Sequence, residues 1–300
     1  MSGLLAPLLR GVARSAGGFL APLLRGVARS AGGVCFLAAA AASAGEEVPY
    51  VQTPQNVVEE MLKLAGVRGT DFVMDLGSGD GRIVITAAKK YGARGVGFDY
   101  VRSLVELATE NARKAGVADR VAFVQKDIHD VDFSPATVLA FYLLSDTNVE
   151  LRPKMLAQLR PGARIVSHDG DMGEWEADAT IVVPAPGKPV GVEQKSTLYL
   201  WIVPAQVAGE WRTTVPLGGR ATELELDLTQ HFQSLAGVAS VRGEMIGLER
   251  AYVRGPSIFM RFPYDGGTVR FQGRANADRI VGRVTTPDGR THPWRALRTN

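Results

Sequence analysis

Cysteine is almost missing from this chain: Cys35 is the single one among 300 residues. An internal disulfide and a cysteine-ligated zinc site are both excluded. Acid is missing from residues 1–45, whose only charged side chains are Arg10, Arg14, Arg25 and Arg29. Those four positive charges exceed the formal net charge of +3, so the remainder stands at −1. A near-neutral body lacks the basic footprint that nucleic-acid binding needs, and no nucleic-acid partner is expected. The apolar run after Gly33 is too short to span a bilayer, and no transmembrane span is expected. No G-x-S-x-G elbow is present, which removes Ser-His-Asp hydrolysis. What is present is a hydrophobic content of 46%, ample for a packed core, in a length that suits one or two domains.

Residues 5–18 recur unchanged at 20–33, as a recent duplication would rather than a structural repeat. Val34 to Ala42 follows as a short apolar stretch, ending in Ala42-Ser43-Ala44. Basic stretch, apolar stretch and A-x-A form the outline of a secretory signal peptide, which predicts export to the periplasm after cleavage at Ala44. Two rival readings stay open. One is an acid-free organellar transit peptide; the other is a disordered extension or misassigned start on a cytoplasmic protein.

The stretch that organises the rest is 72–99. Phe72 to Leu76 is an apolar run carrying Asp75. Gly77, Gly79 and Gly81 then let the backbone turn sharply and approach a ligand closely. Residues 83–91 are apolar at helical spacing, and Gly95 to Phe98 reads as a second buried strand ending on Asp99. An acid at that place can accept the two hydroxyls of a ribose, with Tyr100 beside it. A dinucleotide fold asks for G-x-G-x-x-G, but the third glycine position holds Arg82. Asp75 and Asp80 would also repel a pyrophosphate. S-adenosylmethionine has no phosphate and carries a sulfonium and an ammonium, so acids around the turn favour it. Asp75, Gly77, Ser78, Gly79, Asp99 and Tyr100 are therefore candidate cofactor residues.

Asp-Leu-Gly-Ser-Gly-Asp-Gly-Arg resembles the first motif of class I S-adenosylmethionine-dependent methyltransferases. Val-Pro-Tyr-Val-Gln-Thr-Pro at 48–54 resembles the lead-in of the branch that holds the mitochondrial protein-lysine methyltransferases and their bacterial relatives. The resemblance covers about residues 46–203. It implies that the lead-in lies over the cofactor, which makes Tyr50 and Thr53 candidate contacts. It implies that an acid just past the third strand meets the adenine amino group, a place held by Asp127 with Ile128 next to it. It also implies a protein lysine amine as methyl acceptor.

The intervening pattern alternates helix and strand. Residues 54–65 read as an amphipathic helix with Thr53 as N-cap and Pro54 as its first residue. Residues 101–115 read as a helix with Leu104, Val105, Leu107 and Ala108 inward. Strands are predicted at 121–125, 137–144, 163–167, 181–183 and 197–203, and a helix at 148–159. Such alternation implies a doubly wound, Rossmann-like seven-stranded sheet with an antiparallel terminal pair. Ligands then bind off the C-terminal strand ends. The fourth strand delivers Tyr142 there, without the Asn/Asp-Pro-Pro-aromatic motif of many amine methyltransferases. The fifth delivers His168 and Asp169. An amine must lose its proton before it attacks a methyl carbon, so Tyr142, His168 and Asp169 are candidate catalytic residues. A metal site is disfavoured, because adjacent strand residues point to opposite faces.

From about 205 helical periodicity disappears. Glu223 to Leu228 alternates strictly, and short runs follow at 241–246, 257–262, 268–273 and 279–285 between turn signals. A small antiparallel barrel or sandwich is predicted, with Trp211 and Trp294 closing its core. The division expected is thus a leader (1–45), a methyltransferase domain (46–204) and a β-rich accessory domain (205–300). The activity implied is methyl transfer to a protein lysine. A small-molecule N- or O-methyltransferase, and an exported binding protein without activity, remain as alternatives.

Overall fold

The computed structural model describes residues 50–189 and 193–299. The leader, its duplication and the proposed cleavage point lie outside the described residues. The chain divides into a unit Met1–Tyr50 and a unit Val51–Asn300, and every element below belongs to the second.

The first half runs α1 (Gln55–Leu64), β1 (Phe72–Leu76), α2 (Arg82–Tyr91), β2 (Arg94–Asp99), α3 (Arg102–Lys114), β3 (Val121–Gln125), a 3₁₀ turn (Ile128–Asp130), β4 (Val138–Phe141), α4 (Ser145–Gln158), β5 (Arg164–His168), β6 (Ala179–Pro184) and β7 (Lys195–Ile202). The seven strands lie in the order β3-β2-β1-β4-β5-β7-β6. β1 to β5 pair in parallel, and β7 slots antiparallel between β5 and β6. The strand period of two sorts side chains onto two faces. Val73, Val138, Ala140, Val166 and Leu198 join the core under α1 and α2. Met74, Leu76, Leu139, Phe141, Ile165 and Trp201 join the core under α4.

Two local expectations shift. α1 starts at Gln55, with Pro54 in the cap position and no side-chain cap. Thr53 does not cap it, because its hydroxyl is taken by His168. α3 packs through Ala108 and Ala112, while Leu107 is exposed. Small residues suit that seam: a Cβ on Gly81 would lie only 3.0 Å from the Ala108 Cβ.

The second half is β8 (Gly209–Leu217), β9 (Arg220–His231), β10 (Ser234–Val241), β11 (Glu244–Gly247), β12 (Arg250–Arg254), β13 (Ser257–Tyr264), β14 (Gly267–Ala275), β15 (Arg279–Thr285) and β16 (Thr291–Arg298). β16 pairs β8 and β9 pairs β10, so eight antiparallel strands close into a barrel with β11 flanking β10. Closure decides between barrel and sandwich, and it removes the exposed edges a sandwich would keep. The run predicted as a strand at 241–246 is instead a hairpin: Arg242 and Gly243 turn with φ of +55° and +85°. Leu224, Leu226 and Leu228 point inward, with Trp211, Phe262, Phe271 and Trp294 in the same core. The Trp211 indole donates to the Val207 carbonyl at 2.8 Å, and the Arg298 guanidinium sits 4.4 Å over its ring.

The β9–β10 turn seats the barrel on the first sheet. Phe232, in the left-handed region at φ +52°, stacks on Trp175 with ring centres 5.7 Å apart. Gln233 donates to the Glu176 carbonyl, and Arg254 pairs with Asp178 at 3.0 Å. Arg152 lies over Phe232 and donates to the Met172 carbonyl, tying this contact to the segment that follows β5.

Candidate active site

The turn between β1 and α2 is built from positive-φ glycines: Gly77 at +69°, Gly79 at +53° and Gly81 at +81°. It leans on β2, where a Cβ on Gly97 would lie 2.6 Å from the Ser78 Cβ. Ser78 N–H donates to the Phe98 carbonyl at 2.9 Å. Asp99 holds the turn from the other side. Its Oδ2 accepts from the Gly79 N–H and its Oδ1 from the Val101 N–H, both at 2.9 Å. Each oxygen retains further acceptor capacity, so Asp99 serves as a strut for the turn while still presenting lone pairs.

Asp75 is treated differently. It is 1% exposed, and neither carboxylate oxygen has a hydrogen-bond partner. Burial, then the charges of Asp99 and Asp80, push its pKa well above the carboxylate range. The Ser78 hydroxyl beside it is also buried and unpartnered. Asp80 is engaged outward by Arg82, whose Nε lies 2.9 Å from Oδ1. The same guanidinium donates to the Thr53 carbonyl at 2.7 Å, stitching the 51–54 segment to the glycine turn. Arg82 occupies the place where a dinucleotide site would have glycine; the structure gives it this clamping work, which spacing alone does not reveal.

Beyond β3, Asp127 accepts from the His129 N–H and from Nδ1, at 2.9 and 2.8 Å, both on Oδ1. The His129 backbone bond, then its side chain, hold the Asp127 pKa below its ordinary value. Asp127 is thus the cap of the 3₁₀ turn, at an exposed lip of the sheet. Ile128 packs against the α4-side core, and Tyr100 is exposed at the end of β2. Tyr50 belongs to the first unit and is exposed.

At the ends of β4 and β5 a second cluster forms. His168 is fully buried, with Nδ1 3.0 Å from the Thr53 hydroxyl and Nε2 2.7 Å from the Ser196 hydroxyl. Desolvation pulls its pKa down to about 4, against the opposing pull of Asp169. Both ring nitrogens are thereby committed to hydroxyls, which leaves His168 neither surface nor lone pair for a metal or a substrate. The Tyr142 ring covers it, with centroids 3.9 Å apart. Tyr142 is half-buried, and burial followed by the Asp169 charge raises its pKa to about 12.

Asp169 overturns the expectation that neighbours on a strand diverge. β5 ends at His168, and Asp169 turns into the left-handed region at φ +59°. Its Oδ2 curls back to within 3.3 Å of His168 Nε2 and 3.5 Å of the Tyr142 hydroxyl. Its Oδ1 accepts the Thr197 N–H at 2.9 Å. Lys188, from the loop after β6, places Nζ 2.5 Å from Asp169 Oδ2. Lys188 and Ser196 carry no motif, and only the β6–β7 fold-back brings them to the end of β5. Two more buried polar atoms, the Ser167 hydroxyl and Asn148 Oδ1, have no partner here.

Residues 75–179 match the family model described as ANTKMT methyltransferase domain. A protein-lysine N-methyltransferase of Saccharolobus islandicus is 39% identical over 157 residues, which are 52% of this chain and 94% of that one. The adenine nucleotide translocase lysine N-methyltransferase of Mus musculus is 35% identical over 136 residues, 45% of this chain and 58% of its own length. Among solved structures, an RNA methyltransferase from Salinibacter ruber in complex with S-adenosyl-L-homocysteine is 49% identical, covering 52% of this chain and 96% of that one with a TM-score of 0.47. Because the archaeal enzyme is matched over nearly its whole length, the chain belongs to the S-adenosylmethionine-dependent protein-lysine N-methyltransferase family.

Proposed function

We propose that this chain transfers a methyl group from S-adenosylmethionine to the side-chain amine of a protein lysine. The observation that carries the reading is Asp75, a sealed carboxylate with no partner at the foot of a glycine turn. A buried acid in that state is costly unless protonated or matched by a cation. A cationic, phosphate-free ligand suits it, and a pyrophosphate does not.

The residues present fit the donor. The 77–79 backbone gives close approach, Asp75 and Ser78 give unpartnered buried polar atoms, and Asp99 keeps lone pairs for a ribose. Asp127 and Ile128 are the proposed adenine contacts, with Tyr100 beside the ribose acid; Thr53 is the lead-in contact of this proposal. When bound, the donor supplies an electrophilic methyl carbon on a sulfonium.

The chain supplies the acceptor side. Asp169 accepts the proton that a lysine ammonium must shed, and the Tyr142 hydroxyl lies beside the same oxygen to orient the amine. His168 holds these two rather than meeting substrate: neutral, bonded to Thr53 and Ser196, it fixes the Tyr142 ring from behind. Alignment of amine and methyl provides most of the rate, on the order of 7 kcal/mol or more where two reactants are held in line. The barrel, outside the 75–179 match, is proposed as an accessory domain of residues 205–300. The leader of residues 1–45 is proposed to carry an export signal cleaved after Ala44, checked by N-terminal sequencing for a mature start at Gly45.

The test has two arms. Calorimetric titration should show binding of S-adenosylmethionine and of S-adenosylhomocysteine. Labelled-methyl transfer into a cell lysate, followed by peptide mapping, should put label on protein lysines. Label confined to small molecules would instead make the chain a small-molecule methyltransferase, and binding without transfer would make it a binding protein.

A further inference from the structure

The chain holds eight lysines, all within residues 63–195, and the barrel strands use arginine alone. Lys188 is the least exposed of the five lysines in described ion pairs. Its side chain is 9% exposed, against 72%, 48%, 66% and 61% for Lys63, Lys90, Lys114 and Lys195. Its ammonium is not merely hidden. It lies 2.5 Å from Asp169 Oδ2 and donates to the Lys195 carbonyl at 2.8 Å. Tyr142 offers its hydroxyl 3.5 Å from the same carboxylate oxygen. A carboxylate and a carbonyl on one ammonium, with a phenol beside the same carboxylate, form a receptor for a lysine head group. The carboxylate is aimed by a left-handed residue, a strained choice for aspartate that needs the Thr197 bond to hold it.

We infer that Lys188 is the chain's own tenant of the acceptor-lysine subsite, and that it is methylated in cis. This rests on the lysine-methyltransferase reading above. The step balances as follows. The Lys188 ammonium gives one proton to Asp169 Oδ2, leaving a neutral amine and a neutral carboxyl. The nitrogen lone pair forms a bond to the methyl carbon while the carbon–sulfur bond breaks, and the sulfur keeps that electron pair as a neutral thioether. The products are N-methylated Lys188, carrying the positive charge, and S-adenosylhomocysteine; the carboxyl then returns its proton to water. An external lysine must displace Lys188 from Asp169 to reach the same place, so the two acceptors compete.

The experiment incubates the full chain with deuteromethyl S-adenosylmethionine and maps each lysine by mass spectrometry, with and without a lysine-bearing acceptor protein found in the lysate screen. Label is expected on Lys188 at a rate per molecule independent of enzyme concentration, with the other seven lysines at background. Saturating acceptor should slow Lys188 labelling several-fold. Asp169→Asn should lose both labellings yet keep donor affinity by calorimetry, which shows that the variant is folded. Transfer to the acceptor protein with Lys188 unlabelled, or Lys188 labelling indifferent to saturating acceptor, overturns this inference alone. Absence of donor binding and of all transfer takes the functional reading down with it.

Discussion

Trp211 in the barrel and Asp75 in the first sheet are equally sealed from solvent, yet they are provided for in opposite ways. The Trp211 indole N–H has a carbonyl at 2.8 Å and a guanidinium over its ring. The Asp75 carboxylate has nothing. The contrast extends to their surroundings. Barrel strands alternate apolar inside and polar outside, and the interior is filled by side chains, as an eight-stranded barrel allows. In the first sheet the strand ends collect buried polar atoms without partners: both oxygens of Asp75 and the hydroxyls of Ser78 and Ser167. Such atoms are expensive to leave unmade. A fold that keeps an unpartnered acid together with hydroxyls at one end of a sheet is built to receive something there, whereas the barrel core leaves the Trp294 indole N–H unpartnered but, among the described residues, no carboxylate.

The contrast breaks most visibly under truncation. Trp211→Ala empties a fully buried site in the barrel core and should cost about 3–5 kcal/mol of stability. Chemical denaturation measures it. Donor affinity, taken by calorimetry well below the melting temperature, should stay within a factor of two. A parallel loss of affinity would mean that the barrel shapes the cofactor cleft, and the two regions would no longer be separable.

Acid should discriminate next. His168 has its pKa lowered from the usual 6.5 to about 4 because burial disfavours its charged form. The unfolded chain binds a proton there first as pH falls. Stability from this group is therefore complete above about 6.5 and drains away as pH drops toward 4, by on the order of 3 kcal/mol in all. Stability measured against pH should bend in that window, and His168→Gln should flatten the bend. A bend that survives the substitution would assign it to other groups.

The first sheet was legible because its signals are local. A glycine turn between two apolar runs, with acids at fixed offsets, specifies strand, turn and helix without knowledge of any distant residue. The barrel was legible as alternation but not as closure, since closure depends on β16 finding β8 some eighty residues away. Asp75, Asp99 and the turn could be placed from the motif. The His168 environment could not: Thr53, Ser196 and Lys188 reach it from the lead-in, β7 and the loop after β6. The left-handed turn at Asp169 was equally hidden, because nothing in Ser-His-Asp-Gly announces which residue leaves the strand. Arg82 showed itself only as a glycine that was not there.

Asp99 and Asp75 sharpen the contrast within the site itself. Asp99→Ala removes a strut as well as an acceptor, freeing the Gly79 and Val101 amides. It should weaken donor binding by about 1–3 kcal/mol, with some loss of stability. Calorimetry and thermal melting read the two effects, and unchanged affinity would count against its ribose role.

Asp75→Asn should separate binding from stability altogether. The folded state raises the Asp75 pKa, so its contribution to stability is favourable only below the ordinary carboxylate pKa and is lost as pH rises. At neutral pH the ligand-free chain therefore bears a buried acid that weakens it. The asparagine is nearly isosteric and cannot ionise, so the ligand-free variant should melt no lower than the parent, and higher as pH rises. Donor binding should nevertheless fall about tenfold, or ~1.4 kcal/mol, because the cation loses its counter-charge. Comparing two ligands then locates that charge. S-adenosylmethionine carries a sulfonium, and S-adenosylhomocysteine keeps only the ammonium. Equal losses for both would place Asp75 toward the ammonium end. A larger loss for the sulfonium compound would place it toward the methyl group. No loss for either, with a stabilised apoprotein, would leave Asp75 without a ligand and remove the observation on which the cofactor assignment stands.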